Sequence, residues 1–132
     1  MQILTLNKPL AEAIDDIEQA IKDQGMWLLC HINGQANAAK IGETVPPVRI
    51  LEVFRPELAV RVWRAHQPAG IEIPVRMYIH ENPARQTVIQ VRSLRDAFEK
   101  YESVELEQVG VEADATFTRI LYSLENRFES VM

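Results

Sequence analysis

The sequence is poor in the residues from which most recognisable site chemistry is built. Its one cysteine, Cys30, excludes an internal disulfide and any multi-cysteine metal knuckle, and it fits a reducing compartment. The three histidines, His31, His66 and His80, show none of the close spacing that marks a metal site. Glycine is scarce too. The interval from Gly34 to Gly42 lacks both a Gly-Lys-Ser/Thr ending and Gly-x-Gly-x-x-Gly spacing, so a loop between strands accounts for it better than a phosphate cradle. No apolar run approaches the roughly 20 residues that cross a bilayer, and residues 1–6 are too short and uncharged for a signal peptide. Basic charge is in deficit: 14 Lys and Arg face 19 Asp and Glu, a net charge of −5 that argues against a nucleic-acid partner. The expectation is a cytoplasmic protein with no membrane span, no nucleic acid, no metal and no cofactor.

What is present reads as one globular domain over residues 1–132, 47% hydrophobic and 25% charged. The charge is unevenly spread. Residues 1–25 hold two basic and five acidic groups, residues 101–132 two and seven, and residues 26–100 ten and seven. Acidic flanks thus enclose a mildly basic centre.

Apolar spacing places elements along the chain. A strand is expected over 2–6, then a helix in which Leu10, Ile14, Ile17 and Ile21 form one stripe and Gly25 is the stop. Residues 26–32 and 48–54 read as apolar strands, with one or two helical turns at 36–41 between them and a helix over 56–65 after them. Residues 71–81 alternate, although Pro74 cannot donate to a ladder, so the paired strand should begin near Val75 or lie at an edge. Residues 86–92 return antiparallel, with Tyr78 opposite Val88, a loop of 81–85 and Arg76 kept away from Arg92. Ser93 and Asp96 resemble a capping box. Gly110 is expected to interrupt before a last helix striped by Phe117, Ile120, Leu121, Leu124 and Phe128. The fold class is α+β, an antiparallel sheet with helices packed on one face.

The run Ile50-Leu51-Glu52-Val53-Phe54-Arg55-Pro56, followed by Glu57-Leu58-Ala59 and then Ile73-Pro74-Val75-Arg76-Met77-Tyr78, resembles the domain of unknown function 302 family. The opening helix ended by Gly25, the Pro56 turn and the Ile73-Pro74 step match in order and spacing over roughly residues 1–100. The resemblance implies a β-α-β(4)-α type of domain, a homodimer, and no established activity. Some relatives carry Cys-Asn before the first proline and Cys after the Leu-Pro step. Here those places hold Phe54-Arg55 and Val75, so no thiol or metal role carries over.

Candidate chemistry is sparse. Cys30 and His31, as strand neighbours, point to opposite faces, and Cys30 shares parity with Met26, Leu28 and Ile32, which suggests a buried structural thiol. Trp27 and Trp63 sit on apolar segments, where core packing is the default. His31 and His80 could meet across the sheet near Glu52 or Glu72.

The most informative group is a polar strand face of Arg76, Tyr78 and His80 with Gln90 and Arg92 beside it, and Arg49 on a neighbouring strand. Such a face can be solvated. It can bind a small anion through planar guanidinium donors, or bury itself against a second subunit with Trp27 and Leu29 alongside. The homodimer is preferred, since the resemblance points the same way. A binding module is favoured over an enzyme, because no activated nucleophile pair, ligand cluster or cofactor loop is visible. The enzymatic alternative acts on a small anionic metabolite with His80 as acid or base.

Overall fold

The computed structural model describes the backbone of residues 1–129 and the side chains of residues 1–125. Phe128 therefore lies outside the described side chains. Strand β1 (Gln2–Leu6) leads into helix α1 (Leu10–Asp23), then β2 (Trp27–Asn33), the short α2 (Gly34–Lys40) and β3 (Val48–Phe54). Helix α3 (Pro56–Ala65) and a 3₁₀ turn (Gln67–Glu72) precede the hairpin β4 (Val75–Glu81) and β5 (Thr87–Val91). Helix α4 (Leu94–Phe98), a 3₁₀ turn (Glu99–Tyr101) and the long α5 (Val104–Glu129) complete the chain.

The strands form one antiparallel sheet in the order β1-β5-β4-β3-β2. Period-2 alternation sends Leu51, Val53, Val75, Met77, Ile79, Ile89 and Val91 to one face, where all are buried. Helices α1 and α5 lie against that face, and α3 and α4 pack on α5. The α1 stripe of Leu10, Ile14, Ile17 and Ile21 and the α5 stripe of Phe117, Ile120, Leu121 and Leu124 close this core. The fold is thus α+β, as the periodicity predicts.

Local chemistry explains most boundaries. Gly25, at φ 75°, ends α1 with Gly25 N–H donating to Lys22 and Met26 N–H donating to Ile21. Pro74 has no N–H, and β4 begins at Val75 after a cis Ile73–Pro74 peptide. Residues 67–72 curl into a 3₁₀ turn instead of extending the strand. Ser93 caps α4 by accepting from Asp96 N–H at 3.1 Å.

Two expectations are corrected. The hairpin pairs Tyr78 with Gln90, not Val88. The loop still has five residues but runs over 82–86, because Asn82 closes it: its Oδ1 accepts from Gln86 N–H and its Nδ2 donates to Gln86 Oε1, both at 3.0 Å. The register brings Arg92 level with Arg76 just past the last ladder pair. Gly110, in turn, does not interrupt α5. A Cβ there would stand 2.6 Å from Arg95 Cα, so glycine is what lets α4 and α5 approach so closely.

Candidate functional site

The second face of the sheet has no helix across it among the described residues, apart from α2 at one corner, which buries none of its residues. Strand register sorts its side chains into cross-strand rows. One row is Ile3, Gln90, Tyr78, Ile50 and Ile32. The next is Thr5, Val88, His80 and Val48. A third places Arg76 beside Glu52 and Cys30. Apolar and polar groups alternate across this open surface, whereas the inner face is mainly apolar, with His31, Arg49 and Thr87 as exceptions.

At the end of the third row the surface deepens into a cleft of about 550 Å³. Arg76, Tyr78, Gln90, Arg92, Glu52 and Glu72 supply its polar walls. Ile71, Ile73, Pro74 and Ala97 supply apolar ones. The 3₁₀ turn before β4 and the start of α4 enclose it, so the Pro74 break that precedes β4 also builds a wall of the cleft.

Most of its charges are already paired. Arg76 donates to Glu52 at 3.2 Å. Glu72 Oε2 accepts from Lys100 Nζ and from the Tyr101 hydroxyl, both at 2.8 Å. Those two donors hold the Glu72 carboxyl below the usual carboxylate range, and the same carboxylate raises the Tyr101 hydroxyl above its own. Arg92 is exposed and makes no hydrogen bond or ion pair among the described residues. His80 stands behind this group. Its Nε2 is 3.0 Å from Gln90 Oε1, and its ring lies 5.3 Å from the Tyr78 ring.

Five of the six residues singled out from sequence therefore gather on one face, four of them in the cleft wall. Arg49 does not join them. It shares parity with Leu51 and so points to the helix-bearing face, where its Nη1 lies 3.0 Å from His31 Nε2 while Glu18 accepts at His31 Nδ1 at 2.7 Å. His31 and His80 thus lie on opposite faces and cannot meet. Glu52 and Glu72 were not singled out as ligand residues; the strand pair Glu52↔Arg76 was the missed signal for the first.

The thiol and the tryptophans also depart from expectation. A bulge between Leu28 and Cys30 shifts the register of β2, so Leu28 packs on the core while Cys30 lands half-buried on the open face opposite Glu52. Trp27 and Trp63 are 57% and 48% exposed and belong to no core. Among the described residues no three His, Cys, Asp or Glu side chains group to hold a metal ion, and no helix is long and apolar enough to cross a membrane.

A family model described as "Domain of unknown function DUF302" matches residues 2–124. Among solved structures, the chain is similar to an uncharacterized conserved protein DUF302 from Bacillus stearothermophilus, with a TM-score of 0.82 and 18% identity over 91% of this chain and 94% of that one. At that identity the likeness speaks for the fold. No curated protein matches the chain.

Proposed function

The chain belongs to the domain of unknown function DUF302 family, and from that premise we propose that it is a homodimeric binding module, with the open sheet face as the dimer contact and the cleft as a site for a small anion. The observation that carries the reading is the uncovered face itself. It leaves Ile3 and Tyr78 exposed and Ile32, Val48, Ile50 and Val88 half-buried, interleaved with polar side chains. Five strands about 4.8 Å apart, with about six residues each at about 3.3 Å, span roughly 500 Å² in projection. Side-chain relief brings the accessible area towards the roughly 800 Å² per partner of a standard interface. A two-fold axis near Tyr78 would place equivalent rows against each other, and the cleft would remain at the rim.

A catalytic reading has less support. His80, the group that would act as acid or base, is not in the cleft wall, and its Nε2 is engaged by Gln90. A cytoplasmic location belongs to the proposal and is supported by a lone, unpaired thiol.

Light scattering at micromolar concentration is expected to give twice the 15.1 kDa of one chain. Ile50→Glu should yield a folded monomer. Losing about 2 kcal/mol of apolar burial, counted twice by symmetry, weakens association about a thousandfold. A wild-type mass of one chain would overturn the dimer.

A further inference from the structure

We propose that the cleft takes a monocarboxylate with an apolar body, its carboxylate seated on Arg92 and its hydrocarbon part along Ile71, Ile73, Pro74 and Ala97. The proposal rests on the reading of the cleft as an anion site and names the chemical class of its ligand.

Charge selects a single negative group. Arg76 is matched by Glu52, and Glu72 is matched by Lys100 with the Tyr101 hydroxyl, so both acidic walls are already satisfied from within. Neither carboxylate calls for a ligand cation. Arg92 is the side-chain cation in the cleft wall without a partner among the described residues, and its planar fork suits a carboxylate held through two parallel hydrogen bonds. A phosphate dianion would bring a second negative charge between Glu52 and Glu72, where no further side-chain cation of the wall is unpaired among the described residues. A nucleotide would bring more.

The apolar side selects a body. Ile71 is 83% exposed, more than any other large hydrophobic among the described residues, and it stands at the cleft edge. Ile73, Pro74 and Ala97 continue that surface and are only partly buried. An inorganic ion would leave all of it in water. A hydrocarbon chain would cover it, and the 550 Å³ of the cleft lies within the range of small-molecule sites. Each methylene seated there should tighten binding about fourfold.

Calorimetric titration of the full chain with butanoate, hexanoate, octanoate, octanol and inorganic phosphate tests the assignment. Affinity is expected to rise with chain length, while octanol and phosphate bind at least about tenfold more weakly than octanoate. Arg92→Gln should weaken octanoate about tenfold or more, Arg92→Lys less, and Arg85→Gln, in the β4–β5 loop, not at all. Amide shifts induced by octanoate in the wild-type chain should centre on residues 71–76 and 91–97, a reading independent of any variant. Phosphate binding as tightly as octanoate and weakening in Arg92→Gln would reject the ligand class but keep the anion site. Octanoate binding unchanged in Arg92→Gln, or shifts elsewhere, would overturn the proposal. No binding by any of the anions would overturn both it and the anion reading of the cleft.

Discussion

Gly110 shows how far one residue's meaning depends on what stands beside it. In an exposed helix interior, glycine costs about 1 kcal/mol relative to alanine, so Gly→Ala would ordinarily stabilise. Here the added Cβ would meet Arg95 Cα at 2.6 Å and Arg95 N at 2.8 Å, and backbone cannot swing aside as a side chain can. Gly110→Ala is therefore expected to destabilise by about 2 kcal/mol, the cost of overpacking at a close contact, measured as a lower urea midpoint with an unchanged slope. A midpoint that rises would mean the two helices can separate without loss. Trp27 and Cys30 carry the same lesson in the other direction. Both types are usually buried when they sit in apolar runs, and both are turned outward by the end and the bulge of an edge strand.

Elements here are finished by other elements. Helix α1 is preceded by Pro9, which offers no side-chain cap, and the missing acceptor comes from Glu81 on β4, whose Oε1 takes Leu10 N–H at 2.9 Å. Buried Thr87 on β5 donates to Lys8 O at 2.8 Å just before it. Helix α4 has its own Ser93 cap but also borrows Asp114 from α5, which accepts from Ser93 Oγ at 2.6 Å and Leu94 N–H at 2.8 Å. Arg61 on α3 reaches α5 with ion pairs to Glu105 at 2.7 Å and Glu112 at 2.6 Å, and those two carboxylates raise its own pKa. Asp114→Ala should cost about 2 kcal/mol, since charged acceptors at part-buried caps are worth more than neutral ones. It should also loosen the cleft wall formed by Ser93 and Ala97. Denaturation midpoints and faster amide exchange in α4 would register both effects. An unchanged midpoint would show that Ser93 alone suffices.

At the scale of the whole molecule, the order β1-β5-β4-β3-β2 places β4 at the centre of the sheet, between its hairpin partner β5 and β3. Strands β3, β4 and β5 are paired on both sides and carry fully buried residues, whereas β2 is an edge with a bulge. Amide exchange is expected to be at least about tenfold slower in β4 than in β2, reflecting opening nearer to global unfolding. Equal protection would imply that the β2 edge is covered in solution. The acidic flanks fall largely on exposed positions of α1 and α5, while Arg76, Arg85 and Arg92 place basic groups on the sheet and its connections.

Much of this was legible in the sequence because it is local. Helix stripes, strand alternation, the Gly25 stop, the Ser93 cap and the ladder start after Pro74 depend on neighbours a few residues away. Alternation alone was enough to put Arg76, Tyr78 and His80 on one face. Three features were not legible. A β4–β5 loop of the same length closed on Asn82 instead of one residue earlier, which moved the register by two. A one-residue bulge at Leu29 parted Cys30 from Leu28. Residues 48–54 are apolar on both parities, so only the burial of Leu51 and Val53 decided that Arg49 faces the helices.

The sequence by itself determined that this chain forms an α+β sheet with one apolar face, and it confined the basic groups of interest to the central segment. Periodicity and steric rules act over a few residues, so they survive without knowledge of the fold. Only the tertiary structure decided that, among the described residues, no long helix covers the other face and that a cleft lies at its end. It also decided which charges there cancel, leaving Arg92 without a partner among the described residues. Those outcomes depend on register and on contacts between residues far apart in the chain, where a shift of one position exchanges a partner for solvent.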